Sequence, residues 1–177
     1  MIVDLSKHNG NINYDLMVSR GVDGAILRAS IGEVIDPKFR ENWNALVQRG
    51  VDTSAYLVVY PGVSAQRHLD IFYRITEGCE LSQRFLGVPV LDVEIVPQDK
   101  RAYSKLVADI SDALTSKYGK RPVIYTRQTY WDFYILQNDI WREHPLWVAL
   151  YVQFKASGNE FIPVGNVWGA GNRFYVS

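Results

Sequence analysis

Val88-Pro89-Val90-Leu91-Asp92-Val93-Glu94 reads as a β-strand that carries two acids. Side chains at i and i+2 of a strand point the same way, so Asp92 and Glu94 project from one face, roughly 6.5–7 Å apart along the chain. The segments on either side of this run decide its setting. Ser64 can cap a helix running to about Glu77, where Gly78 ends it. Asp99–Tyr118 is the longest helical pattern, with Leu106, Val107, Ile110, Ala113 and Leu114 forming one apolar stripe that Gly119 closes. A strand set between two such helices argues for parallel strands joined by crossover helices.

The alternation extends outward in both directions. Met1–Leu5, Gly24–Ser30, Thr53–Tyr60, Pro122–Thr126 and Leu146–Tyr151 read as strands, and Asn166–Ser177 contains a last one. Tyr14–Arg20 before Gly21, Lys38–Arg49 between Pro37 and Gly50, and Gln128–Leu136 read as helices. About seven or eight strands are too many for a small open sheet, so the expected class is α/β with a closed β/α barrel. The usual barrel of this type has about 250 residues. At 177 residues this chain must be compact, with some helices short or missing. No Pro/Gly/Ser linker and no internal repeat divides it, so a single domain over 1–177 is expected.

Composition narrows the function classes. Lys plus Arg number 19 and Asp plus Glu 19, so the basic excess of a nucleic-acid binder is missing. The single cysteine, Cys79, excludes an intrachain disulfide. His8, His68 and His144 lie far apart with no metal-ligand spacing, so neither a metal nor another cofactor is expected. No Gly-rich phosphate loop and no GxSxG elbow occurs, and Cys79 has no nearby basic partner. No apolar run is long enough to insert in a membrane, and the opening Met-Ile-Val-Asp lacks the pattern of a signal peptide. A monomer made in the cytoplasm is the expectation. The 11 Tyr and 5 Trp serve mainly as core, but flat rings also stack on sugar faces.

In a β/α barrel, polar residues at the carboxyl ends of strands are the site candidates. Asp4, Arg28, Tyr56, Asp92, Glu94, Tyr125, Trp147 and Tyr151 meet that condition. Two like charges on one strand face are costly to bury, and such pairs drive one carboxyl's proton affinity up while the other stays ionised. Glycoside hydrolysis requires that arrangement. Asp4 could equally cap the turn that follows it. Arg28, a charge within an apolar strand, either snorkels from a sheet edge or acts as a fixed cation orienting a carboxylate. Asp36, before Pro37, most simply serves the turn into a helix, and His8-Asn9-Gly10 most simply forms a turn.

The ordered set of motifs resembles glycoside hydrolase family 25, the lysozyme-like muramidases of bacteria and phages. Asp4-Leu5-Ser6 with Gly10-Asn11-Ile12-Asn13-Tyr14 resembles that family's opening. Ile26-Leu27-Arg28-Ala29-Ser30, Gly32 and Asp36-Pro37 with Phe39 and Asn42 are similar to its next block, and Ala55-Tyr56 to its G-A-Y strand. Val88–Glu94 resembles its P-x-L-D-x-E signature, while Pro122–Thr126 and Pro145–Tyr151 resemble two later strands. The resemblance implies a flattened, irregular β/α barrel with fewer than eight outer helices. It also implies hydrolysis of the β-1,4 bond between N-acetylmuramic acid and N-acetylglucosamine in cell-wall peptidoglycan. Carried over, Glu94 is the general acid, Asp92 stabilises positive charge or orients the 2-acetamido group, and Asp4 supports the pair. Tyr56, Tyr125, Trp147 and Tyr151 line the substrate site.

Glu94 is then expected in a partly apolar setting that raises its proton affinity, with Asp92 ionised beside it. The resemblance favours net retention through the substrate's own acetamido oxygen. Ile31, Leu57 and Val58 stand where the family often has Glu, His and Phe, and the further aspartate that follows the family's last strand has no counterpart, so the domain is expected to lack its C-terminal end. These departures motivate an alternative, a cell-wall-binding or phage structural module with little or no activity.

Overall fold

The computed structural model describes residues 1–149. The strand expected within Asn166–Ser177, and Tyr151 with it, lies outside the described residues. In chain order the strands are β1 (Ile2–Leu5), β2 (Gly24–Ile31), β3 (Val34–Ile35), β4 (Asp52–Val58), β5 (Val90–Asp92), β6 (Val123–Thr126) and β7 (Leu146–Val148). The helices are α1 (Tyr14–Ser19), α2 (Phe39–Val47), α3 (Ala65–Ile75), α4 (Lys100–Tyr118) and α5 (Gln128–Tyr134).

The strands form one sheet in the order β1-β2-β4-β5-β6-β7, every neighbouring pair parallel, with the short β3 folding back antiparallel on β2. The sheet curls into a half-barrel with the helices outside, an irregular α/β barrel-like fold with fewer than eight outer helices. Among the described residues β1 and β7 are its two ends, so the closure expected of a full barrel is not reached by them.

Strand parity sorts side chains into two cores. Leu5, Leu27, Leu57, Leu91 and Ile124 face the helices, where they pack with Phe39, Trp43, Phe72, Val107, Ile110 and Leu114. Ile26, Tyr56, Val58, Val88, Val90 and Val123 form a smaller cluster on the opposite, concave side. Helix ends follow local chemistry. Ser64 Oγ accepts the Arg67 amide at the start of α3, and Asp99 accepts the Arg101 and Ala102 amides at the start of α4. Gly119 ends α4 in the left-handed conformation that glycine adopts without a Cβ penalty.

Three differences from the sequence expectation bear on the site. Ladder pairing in β5 stops at Asp92 rather than running to Glu94. α2 begins at Phe39, because Asp36 and Pro37 are taken up by a turn in which the Phe39 amide bonds the Asp36 carbonyl. The β2–β3 hairpin was not anticipated, since a two-residue strand carries no readable periodicity.

Candidate active site

The acid-bearing strand is anchored beyond its last ladder pair. The Val93 amide donates to the Tyr125 carbonyl at 2.9 Å, and Thr126 Oγ1 donates to the Val93 carbonyl at 2.7 Å. The Tyr130 hydroxyl donates to the Ile95 carbonyl at 2.6 Å. Glu94 therefore sits between two tied peptide units, although it lies outside regular structure. Val93 packs in the helix-side core and Val90 in the concave cluster, so the even-numbered positions face the concave side as the alternation predicts. Just past the end of β4 the Val59 amide donates to the Asp92 carbonyl, and the Tyr103 hydroxyl donates to the Val59 carbonyl.

Parity and register bring most of the candidates to one edge. Arg28 lies opposite Tyr56, Val58 opposite Asp92, Asp92 opposite Tyr125, and Tyr125 opposite Trp147. The Tyr125 and Trp147 rings meet edge to face, centroids 4.7 Å apart. Asp4, one residue before the end of β1, lies on the same side, and the Tyr56 hydroxyl beside it lowers the proton affinity of its carboxyl. Asp4 is not the cap of the following turn. Ser6 takes that role, its Oγ accepting the His8 amide ahead of the Lys7–Asn9 turn.

Arg28 is also not a snorkelling edge residue, because β2 lies between β1 and β4. Its Nε donates to Asp36 Oδ2 at 2.7 Å, with side-chain exposures of only 12% and 1%. Asp36 does serve the turn, through Oδ1 and the Lys38 amide, but its second oxygen belongs to Arg28. The sequence offered no signal for this pairing. Tyr130 and Thr126, which fix the backbone around Glu94, were also missed, since their roles depend on contacts between elements distant in sequence.

The electrostatics reverse one expectation. Burial pushes the Asp92 carboxyl up to about 8, the Glu94 and Asp4 charges add to the rise, and Arg28 opposes it. With its carboxyl pushed up to about 8, Asp92, expected to stay ionised, holds a proton at neutral pH. Its residue is 8% exposed and its Oδ1 has no hydrogen-bond partner among the described residues, whereas Glu94 is only half-buried. Asp4 is raised by burial and by Glu94 and lowered by Tyr56 and Arg28. It remains in contact with solvent at the rim, so desolvation acts on it less than on Asp92. Burial and the adjacent Asp4 charge hold Tyr56 well above the usual phenol range, so its hydroxyl stays a donor. Asp92 is thus held between the charges of two carboxyls, which raise it, and one guanidinium, which lowers it.

The model of glycosyl hydrolases family 25 matches residues 3–173 of this sequence. The chain belongs to that family. The fold is shared with the bacterial lysozyme of Streptomyces coelicolor, at 24% identity and TM-score 0.73 over 92% of this chain and 77% of that one. It is shared too with the family 25 glycosyl hydrolase of Bacillus anthracis, at 22% identity and TM-score 0.72 over 84% of this chain and 70% of that one. Among curated proteins, the uncharacterized protein YegX of Escherichia coli K12 is 28% identical over 160 residues, which is 85% of this chain and 56% of YegX. The family 25 chain therefore spans little more than half the length of that relative. Among the described residues, no group of three or more His, Cys, Asp or Glu side chains is placed to hold a metal ion, and no helix is long and apolar enough to cross a membrane.

Proposed function

We propose that this chain is a peptidoglycan hydrolase that cleaves the β-1,4 bond between N-acetylmuramic acid and N-acetylglucosamine. Its support is the placement of Asp4, Arg28, Tyr56, Asp92 and Glu94 about one strand edge in a chain of family 25. Glu94, half-buried and tied on both sides, is the general acid that protonates the leaving glycosidic oxygen. The substrate's acetamido carbonyl attacks the anomeric carbon as that bond breaks. Water then opens the cyclic intermediate, giving up its proton to Glu94, so retention results and the acid is restored. Asp92 receives the acetamido N–H. Asp92 does this in its ionised form, which the positive charge developing on that group favours; its proton passes to Asp4 or to solvent, leaving Glu94 free to take the proton from water. Tyr125 and Trp147 offer an aromatic corner beside Asp92 for a sugar face.

The reading predicts that Glu94→Gln lowers the rate of clearing of purified cell walls by about 10²–10⁴-fold, the usual worth of a general acid, with unchanged far-UV circular dichroism. Near wild-type turnover by that folded variant would remove Glu94 from its role. A binding module is favoured by one observation, the apolar Ile31 and Val58 in the concave cluster where the family often carries Glu and Phe. Wild-type chain that sediments with cell walls but releases no reducing ends would establish that alternative.

A further inference from the structure

One buried carboxylate near the site has no part in the chemistry above. Asp36 Oδ2 accepts both Arg28 Nε at 2.7 Å and the Lys7 amide at 3.0 Å, while Oδ1 accepts the Lys38 amide at 2.9 Å. Its own amide donates to the Ala29 carbonyl, also at 2.9 Å. Ala29 is the residue skipped by the ladder between β2 and β4, where the register shifts between Arg28 and Ser30. One residue thus joins the segment after Asp4, the bulge after Arg28 and the approach to α2. We propose that Asp36 is a positioning residue that restrains the Arg28 guanidinium through its Nε, and so keeps that cation from pairing directly with Asp92 or Asp4.

The physical argument is a competition for one cation. Arg28 acts on Asp4 of β1, Tyr56 of β4 and Asp92 of β5, with Glu94 just past the end of β5 and Tyr125 of β6 beyond them. An unrestrained guanidinium would be drawn into a two-point bond with one of the three carboxyls, and such a bond lowers a carboxyl by about 1–3 pH units. Instead, Arg28 bonds Asp36 and acts on Asp4 and Asp92 through charge. The double variant separates an influence of Asp36 that passes through Arg28 from a direct one. The catalytic significance of this restraint rests on the proposed hydrolase, but the restraint itself can be measured without it.

The experiment follows the Asp92 side-chain carbonyl by carbon-13 NMR across pH in wild type, Asp36→Asn, Arg28→Gln and the double variant, alongside pH–rate profiles on cell walls. Asp36→Asn is expected to lower the Asp92 midpoint by about 1 unit or more, and the acid limb of the rate profile, set by the ionised Asp92 the proposed reaction needs, moves down with it. Arg28→Gln raises the midpoint, and the double variant follows Arg28→Gln. Arg28→Lys, which retains the charge without the Nε–H, lowers it as Asp36→Asn does and serves if Asp36→Asn does not fold. An unmoved midpoint in Asp36→Asn or Arg28→Lys overturns the proposal, as does a downward shift that survives in the double variant. Wild type that releases no reducing ends while these midpoints move as expected defeats the hydrolase reading and leaves the restraint standing.

Discussion

Asp92 carries the largest electrostatic load of any carboxylate in the site. Its folded-state proton affinity, near pH 8, stands far above the value of about 3.9 for a free aspartate. Between about pH 4 and pH 8 the folded chain therefore holds a proton that the unfolded chain has lost. Stability contributed by this group is complete below that window and falls as pH rises through it, by at most about 1.4 kcal/mol per unit. Asp92→Asn has no such proton to lose. Its melting temperature should gain on wild type steadily from pH 4 to pH 8, as read by differential scanning calorimetry. Parallel curves for the two proteins would show that Asp92 is ionised in the folded state.

At the scale of elements, the segments that follow the strands need rigid supports to present side chains, and the β2–β3 turn shows one. Gly32 has φ of +53°, and a Cβ there would lie 2.9 Å from the Cβ of Tyr60 on the segment after β4. The Tyr60 amide in turn donates to His68 Nε2 of α3 at 2.9 Å, and the other ring nitrogen of His68 lies 2.9 Å from the Ser64 carbonyl. The turn, the segment after β4 and the first turn of α3 are thus locked together. Gly32→Ala meets both an unfavourable backbone conformation and a close contact, and should cost about 1–3 kcal/mol in urea denaturation. A loss below about 0.5 kcal/mol would mean that Tyr60 shifts without resistance. Such a turn leaves little trace in sequence. Gly32 is visible there, but its neighbour Tyr60 is set by the meeting of β2 and β4.

Across the whole molecule, one sheet separates two environments. The helix-side core is large and mainly apolar, whereas the concave side begins apolar at Val88 and Val90 and becomes acidic at Asp92. Stability and chemistry are divided between the two faces. Leu91→Ala should therefore cost about 2–5 kcal/mol in unfolding free energy while leaving the Asp92 titration midpoint in place. A moved midpoint would show that the two faces are coupled through the strand. The pattern that located this strand was legible because alternation along a chain is a local property. The same holds for the capping Ser64 and Asp99, for the closing Gly119, and for the choice of Asp4, Arg28, Tyr56, Asp92 and Glu94 as strand-end polar residues.

The sequence by itself determined the order of strands and helices, the face on which the acids of β5 lie, and the family pattern that Asp4, Arg28, Asp92 and Glu94 complete. Only the tertiary structure decided what those residues do to one another. It paired Arg28 with Asp36 beside a bulge, brought Tyr56 to Asp4, and buried Asp92 so that its carboxyl is pushed up to about 8. The physical reason is that periodicity and capping act between neighbours in the chain. Proton affinity, in contrast, depends on burial and on charges a few ångströms away in space, and these are supplied by strands far apart in sequence.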